Sequence, residues 1–320
     1  MSILPDWARA LGSPLFVARI RATVEDFVVT EQLEIEFSDD GEHDWLLVEK
    51  TGANTHWVAE QLAKHAGIND RDVGYAGLKD RHAVTRQWFS VRRPSGEGTD
   101  WRAFGAEGVR IIEQNLHRRK LKRGAHRGNI FRIALRSDDI TRNAETIEQR
   151  LAQIQVCGVP NYFGEQRFGR DGANIELGRA VVAGRRVSRH KRSIGISALR
   201  SLEFNEILDA RVREGSWNHI LAGDIANLDG SRSVFTVAEV TLELEQRCAD
   251  MDIHPSGCLP GIDKLGVAES SRPLRMRVGD LKSTLKDDVL WLEFQLPKGS
   301  FATAVLREIV DWLERPLGRD

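Results

Sequence analysis

The chain has 320 residues, 41% hydrophobic and 29% charged, and its 46 Lys and Arg nearly balance 47 Asp and Glu for a net charge of −1. That much apolar material can build a sizeable core, which excludes a disordered chain, and the length suggests roughly two domains. Three widely spaced cysteines, Cys157, Cys248 and Cys258, argue against a disulfide framework, and no run reaches the roughly 18 apolar residues a spanning helix needs. With Asp6, Arg9, Arg19 and Arg21 near the start in place of a signal peptide, a cytoplasmic protein without membrane association is expected.

In chain order, residues 17–37 read as strands, with β-branched and aromatic Phe27-Val28-Val29-Thr30 at their centre, and residues 43–50 read as another. A helix is expected from Thr55 to Ala66, capped by Asn54 or Thr55, with Val58, Ala59, Leu62 and Ala63 on its apolar face and Gly67 at its end. Gly74 to Asp80 reads as a short strand entering a glycine-bearing turn, and Val84 to Arg92 as a strand followed by a loop at Pro94–Gly98. Strands at 109–112 and 130–135 bracket a basic connection, and Thr141 to Gln155 reads as a helix. The middle of the chain is more helical, with candidates at 174–183, 198–213 and 237–250. A strand at 289–294 and a turn at 297–300 then lead to a last helix, capped by Ser300, with Phe301, Val305, Ile309 and Leu313 as its stripe. Strand-rich ends around a helical middle suggest a discontinuous α+β domain with an insertion.

Nucleotide and metal chemistry find little support. There is no phosphate-binding Gly-x-x-x-x-Gly-Lys-Ser/Thr loop, no Gly-x-Gly-x-x-Gly after a strand and no His-Glu-x-x-His. Cys248, His254 and Cys258 are too loosely spaced to argue for zinc, and no metal is expected. The acidic pairs Asp39-Asp40 and Asp138-Asp139 would have to serve a metal-dependent nuclease, but they sit where solvated turns are common.

Two acid-free basic blocks point to RNA. Residues 117–127 hold six Lys or Arg and two His, including Arg118, Arg119, Lys120, Lys122 and Arg123. Residues 185–192 hold five Lys or Arg and one His, including Arg189, Lys191 and Arg192. One such block is usually a solvated face. Two on a chain of near-zero net charge make local positive potential that suits a phosphate backbone.

Between these elements, Gly77-Leu78-Lys79-Asp80-Arg81-His82-Ala83-Val84-Thr85-Arg86-Gln87 sets one carboxylate between two cations just after a strand. Neighbouring positive charge favours an ionised carboxylate, suited to nucleophilic or electrostatic work. By composition alone it is an ordinary turn.

That segment resembles the signature of the TruD family of tRNA pseudouridine synthases. Four further segments are similar to that family in the same order: Glu25 to Glu31; Lys120 to Gly124 with Gly128-Asn129-Ile130-Phe131; Pro160 to Gly169; and Leu296 to Thr303 with Arg307-Glu308. The resemblance spans residues 25–308, and departs from bacterial relatives in a shorter stretch between about 232 and 288.

The resemblance implies an α+β fold: a pseudouridine synthase catalytic core with a mixed, largely antiparallel sheet flanked by helices, at residues 1–154 and 275–320, plus an inserted α/β domain at 155–274. Two domains so arranged would leave a cleft lined by the basic blocks. It also implies isomerisation of uridine to pseudouridine in tRNA, most simply at position 13, with no cofactor, no metal, no obligate protein partner and a monomeric chain. The family's catalytic aspartate falls on Asp80, as nucleophile towards ribose or base or as the group that removes a proton. Phe27, Phe131 and Phe301 become the aromatic candidates for the uridine, and Asn129 the amide. Asn129 and Phe131 should share one strand face, since side chains alternate. Arg21 is the expected cation against Asp80, with Lys79 as runner-up. Arg167 is expected at the junction with the insertion, in a structural or an RNA-binding role. The rival reading is a non-catalytic RNA-binding or RNA-folding protein on the same scaffold, which would gain nothing from a carboxylate beside phosphate.

Overall fold

The computed structural model describes residues 4–93, 98–228 and 233–314; the loop expected at 94–98 lies mostly outside them. The chain divides into two compact units. One comprises Phe16–Ala144, Gly279–Gly299 and Asp311–Asp320; the other comprises Met1–Leu15, Glu145–Val278 and Ser300–Val310. The second unit takes in Met1–Leu15, helix Ala144–Cys157 from Glu145 onward and the short helix Ala302–Leu306 as well as the middle of the chain.

The first unit is built on a ten-stranded sheet. Its main path runs Gly279–Lys286, Val289–Pro297, Gly128–Arg136, Phe27–Gln32, Val84–Arg92, His43–Thr51 and Val109–His117. Phe27–Gln32 runs parallel to Val84–Arg92, and Val17–Ile20 runs parallel to Asp311–Glu314; the other pairings are antiparallel, giving a mixed, largely antiparallel sheet. Strand alternation puts Leu46, Val48, Phe89 and Val91 in one core cluster with Val58, Ala59, Leu62 and Ala63 of helix Thr55–Ala66. That helix is capped as its sequence demands. Asn54 accepts from the Trp57 amide at 2.8 Å, and Gly67 ends it in the left-handed region at φ 66°.

In the second unit, helices Ala173–Val182 and Arg189–Arg213 approach so closely that a Cβ on Gly178 would lie 2.3 Å from the Gly195 carbonyl oxygen. Helix Arg189–Arg213 begins nine residues before the expected 198, because Ser188 caps it and draws the basic block into its first turn. The unit also holds a four-stranded antiparallel sheet of Val234–Thr236, Ile225–Leu228, Ile253–Leu259 and Ser270–Pro273, and a two-stranded one of Val159–Pro160 with Arg275–Met276. The helix expected over 237–250 is confined to Leu242–Asp250.

The end of the chain differs from expectation. Helix stops at Leu306, Phe301 rather than Ser300 holds the cap position without a side-chain bond, and Asp311–Glu314 is a strand. Val305 and Ile309 are fully buried as the stripe requires, but Leu313 is 65% exposed. Parallel pairing with Val17–Ile20 satisfies backbone groups of Asp311–Glu314 and overrides the helical period.

Candidate active site

The turn between strands Val73–Tyr75 and Val84–Arg92 presents Asp80. Buried side chains fix its backbone. Lys50, completely buried, donates from Nζ to the Asp80 carbonyl at 2.8 Å and to the Ala53 carbonyl at 2.7 Å. The Lys79 amide donates to Thr55 Oγ1 at 2.9 Å, Thr55 Oγ1 donates to Gln87 Oε1 at 2.9 Å, and Gln87 Nε2 donates to the Gly77 carbonyl at 3.1 Å. The Lys79 ammonium turns to Glu31 at 2.7 Å, in a pair screened from water on both sides. Glu31 in turn accepts from the Trp88 amide at 3.2 Å. The ammonium of Lys79 thus braces the turn through Glu31.

The carboxylate of Asp80 remains 29% exposed, and both its oxygens are engaged. Oδ2 accepts from Arg21 Nη2 at 2.8 Å, and Oδ1 accepts from the His82 amide at 3.0 Å. Arg21 follows strand Val17–Ile20 and has φ 54°, in the left-handed region. Its guanidinium carbon lies 4.3 Å from the centre of the Phe27 ring. The next turn is anchored by Asp26, which accepts from Arg136 at 2.6 and 3.0 Å.

Phe27 meets Phe131 edge-on with ring centres 6.3 Å apart, and Phe131 stacks on Phe294 at 5.6 Å. Phe27, Glu31, Asn129 and Phe131 share one sheet face, since Glu31 pairs with Asn129 and Val29 with Phe131. Phe131 is 7% exposed, so most of its surface serves the core. Asn129 Oδ1 is buried without a hydrogen-bond partner among the described residues. A buried, unanswered amide oxygen on the face of an aromatic cluster is an arrangement that a polar ligand edge would complete. Phe301 belongs to the other unit, where it meets Phe163 edge-on at 6.1 Å.

The basic connection is tied to the same turn. Gly124 donates from its amide to the Ala76 carbonyl at 2.7 Å, and Leu121 from its amide to Ser90 Oγ at 2.8 Å. Gly74 permits that crossing, for a Cβ there would lie 2.4 Å from the Leu121 carbonyl oxygen. Arg118 is held by Asp40 in a two-pronged pair at 2.7 and 2.8 Å, and Lys120 donates to the Arg71 carbonyl. The guanidinium carbon of Arg123 lies over the Tyr75 ring, 3.7 Å from its centre, while Arg119 and Lys122 are exposed. Lys120, Lys122 and Arg123 join Arg71, His56 and Tyr75 around a cavity of about 480 Å³. In the second unit Arg189 and Lys191 are exposed on the first turn of their helix, and Arg192 donates to the Leu265 carbonyl at 2.8 Å. There too, Arg167 donates to Ser197 Oγ at 3.2 Å and lies 5.2 Å from the Phe163 ring centre. Among the described residues no three His, Cys, Asp or Glu are grouped to hold a metal ion.

The family model for tRNA pseudouridine synthase D (TruD) matches residues 10–188 and 259–309. The chain belongs to the TruD family. It is 41% identical over 337 residues to tRNA pseudouridine synthase D of Methylococcus capsulatus, covering 96% of this chain and 95% of that one. It is also 41% identical to the Xanthomonas euvesicatoria protein of the same name, over 97% and 95% of the two chains. The fold is similar to the crystal structure of the Methanosarcina mazei protein assigned as tRNA pseudouridine synthase D, with a TM-score of 0.75, 19% identity and 95% of each chain covered.

Sequence reasoning on this TruD chain singled out neither Lys50 nor the role of Glu31. A signal for Lys50 was present. Leu46, Val48 and Lys50 alternate onto one strand face, so the lysine falls where the pattern demands a buried residue. Burial brings its pKa down to about 8, opposed by the charge of Asp80 and aided by that of Lys79.

Proposed function

We propose that this chain isomerises uridine to pseudouridine in tRNA, at position 13, with Asp80 as the nucleophile and no cofactor or metal. The observation that carries the reading is the Asp80 carboxylate itself: partly open to solvent, with one oxygen on Arg21 and the other on a backbone amide. Arg21 supplies the fixed cation, and Phe27 and Phe131 supply the aromatic wall. Asn129 answers the polar edge of the uracil, and Phe301 is a further aromatic candidate on the family pattern.

The reaction balances without a co-reactant. The bond from N1 to C1′ breaks, the base turns, and a new bond joins C5 to C1′. The proton leaves C5, and N1 ends with one. A preorganised carboxylate and guanidinium can stabilise the charge that develops as the glycosidic bond breaks. The uridine must leave its stack to reach Asp80, so the surrounding RNA has to be gripped elsewhere. Arg118, Arg119, Lys120, Lys122 and Arg123 are proposed to hold that backbone, with Arg189, Lys191 and Arg192.

On the family pattern the catalytic domain is residues 1–154 and 275–320 with an inserted domain at 155–274, and the reading is of a cytoplasmic monomer that acts on tRNA with no obligate protein partner. No helix among the described residues is long and apolar enough to cross a membrane.

The test has two parts. RNA from cells lacking this protein is mapped for pseudouridine, and uridine 13 should be left unmodified. Asp80→Asn should bind tRNA but fail to restore the modification. Turnover by that variant within about tenfold of wild type, equivalent to 1.4 kcal/mol of barrier, would overturn the assignment of the nucleophile.

A further inference from the structure

Leu78 is 72% exposed, more than Val17, Ile112, Leu285 or Leu313 of the same unit. A single exposed leucine on a protein surface needs no explanation. This one sits in a turn whose backbone is fixed on both sides. The Gly77 carbonyl before it is held by Gln87, the Lys79 amide after it by Thr55, and the Asp80 carbonyl by Lys50. Gln87, Thr55 and Lys50 are all buried polar side chains, and the buried pair of Lys79 with Glu31 adds a fourth restraint. The same restraints that hold Asp80 therefore hold a large apolar side chain out in water.

Leu78 and Asp80 are two residues apart, so their Cα atoms can be at most about 7 Å from each other. That is about two base steps at 3.4 Å each. A nucleotide drawn out of its stack leaves a gap of this scale between its neighbours, and apolar side chains of this type fill such gaps in kinked nucleic acids. We propose that Leu78 is a wedge that enters the RNA beside the target uridine and keeps its neighbours apart while the base is held at Asp80. This rests on the uridine-isomerising reading of the same site. It adds that extrusion of the base depends on an apolar side chain carried by the catalytic turn.

The experiment places 2-aminopurine next to the target uridine in a tRNA substrate and follows its fluorescence on binding. Binding itself is measured separately by filter retention. Asp80→Asn, which cannot complete the reaction, should bind and raise the fluorescence as the neighbour unstacks. Leu78→Ala combined with Asp80→Asn should bind within about threefold but lose most of that rise, and Leu78→Met should restore it by refilling the volume. In steady state, Leu78→Ala alone should lower kcat on tRNA about tenfold with a smaller change in KM. An equal rise with and without Leu78, or no rise with Asp80→Asn, would overturn the wedge. Wild-type turnover tells the two readings apart. If wild type forms no pseudouridine, the isomerase reading fails; if wild type and Leu78→Ala form it at the same rate, only the wedge fails.

Discussion

Arg21 reaches Asp80 from a backbone conformation that L residues seldom adopt: Nη2 stands 2.8 Å from Oδ2 while Arg21 itself has φ 54°. A non-glycine residue in that region costs roughly 1 kcal/mol or more, and persists where its surroundings overdetermine it. Here the turn that follows is pinned by Asp26 on Arg136, and the guanidinium rests on the Phe27 ring. The cation is thus in place before any substrate arrives.

Arg21→Ala should lower turnover roughly 100-fold, the usual loss when one preorganised donor is removed from an electrostatic site. Arg21→Lys should recover only part of this, because an ammonium lacks the planar face that lies on Phe27. Arg21→Gly should be as slow as Arg21→Ala yet melt higher than it, because glycine adopts a positive φ at no steric cost. Single-turnover rates and thermal melts of the three variants separate the electrostatic role from the strain.

Lys50 offers a test by pH. Its folded pKa of about 8 lies below the ordinary lysine value of 10.5, so between these two values the folded chain binds fewer protons on this group than the unfolded chain does. Stability therefore rises with pH across that window, and the full cost, on the order of 3 kcal/mol at 1.36 kcal/mol per unit, is present below about pH 8. Lys50→Met removes this dependence. The stability of wild type relative to the variant should shift in favour of wild type as pH rises from about 8 to about 10. Urea melts of both proteins at several pH values read the difference directly, and a constant offset would show that Lys50 does not titrate in that range. The variant should also lose turnover, since the Asp80 carbonyl loses its donor.

The sheet and its main helix were legible because the alternation of Leu46, Val48, Phe89 and Val91 and the spacing of Val58, Leu62 and Ala63 fall on buried faces that pack together. The C-terminal stripe of Phe301, Val305, Ile309 and Leu313 misled because a repeat of four says nothing about a strand partner more than 290 positions away, Val17–Ile20. Within the site, the motifs marked Asp80, Asn129 and Phe131 as chemically suited residues, and Arg21 was marked by its place on the strand leading to Phe27. They did not point to Lys50. Lys79 is adjacent to Asp80 in sequence yet is paired with Glu31, while distant Lys50 holds the Asp80 carbonyl. Sequence neighbours in a turn point apart, and only the packing decides which cation comes back.

Phe131 lies between Phe27 and Phe294, so truncation to alanine would mix a packing loss of about 3–5 kcal/mol with any loss of stacking. Phe131→Leu is the cleaner variant, since it keeps most of the volume and removes the ring. It should melt within about 1.5 kcal/mol of wild type. Its turnover should fall by roughly 5- to 150-fold, the equivalent of the 1–3 kcal/mol that one stacked base contributes. Affinity for whole tRNA should fall far less, because many phosphates share it. A leucine variant with normal turnover would make Phe131 a core residue alone.

The basic connection divides into residues already neutralised and residues still open. Arg118 is occupied by Asp40, whereas Arg119 and Lys122 stand exposed and Arg123 covers Tyr75 at the edge of the cavity. The segment is fixed to the Asp80 turn by Gly124 on Ala76, and a few residues later it becomes the strand that carries Asn129 and Phe131. A chain so placed can grip phosphates that flank the target uridine. Replacing Arg118, Arg119, Lys122 and Arg123 together by Gln should weaken tRNA binding and flatten the slope of log affinity against log salt. Each phosphate that the variant no longer neutralises should take roughly 0.7 to 0.9 off that slope. Arg119→Gln and Lys122→Gln should each account for a larger share than Arg118→Gln, whose charge Asp40 already offsets. The single-turnover rate at saturating tRNA should change less than the affinity, since these side chains are proposed to hold backbone and not uracil. An unchanged salt slope in a folded quadruple variant would make the run a solvated face and move the RNA track to Arg189, Lys191 and Arg192.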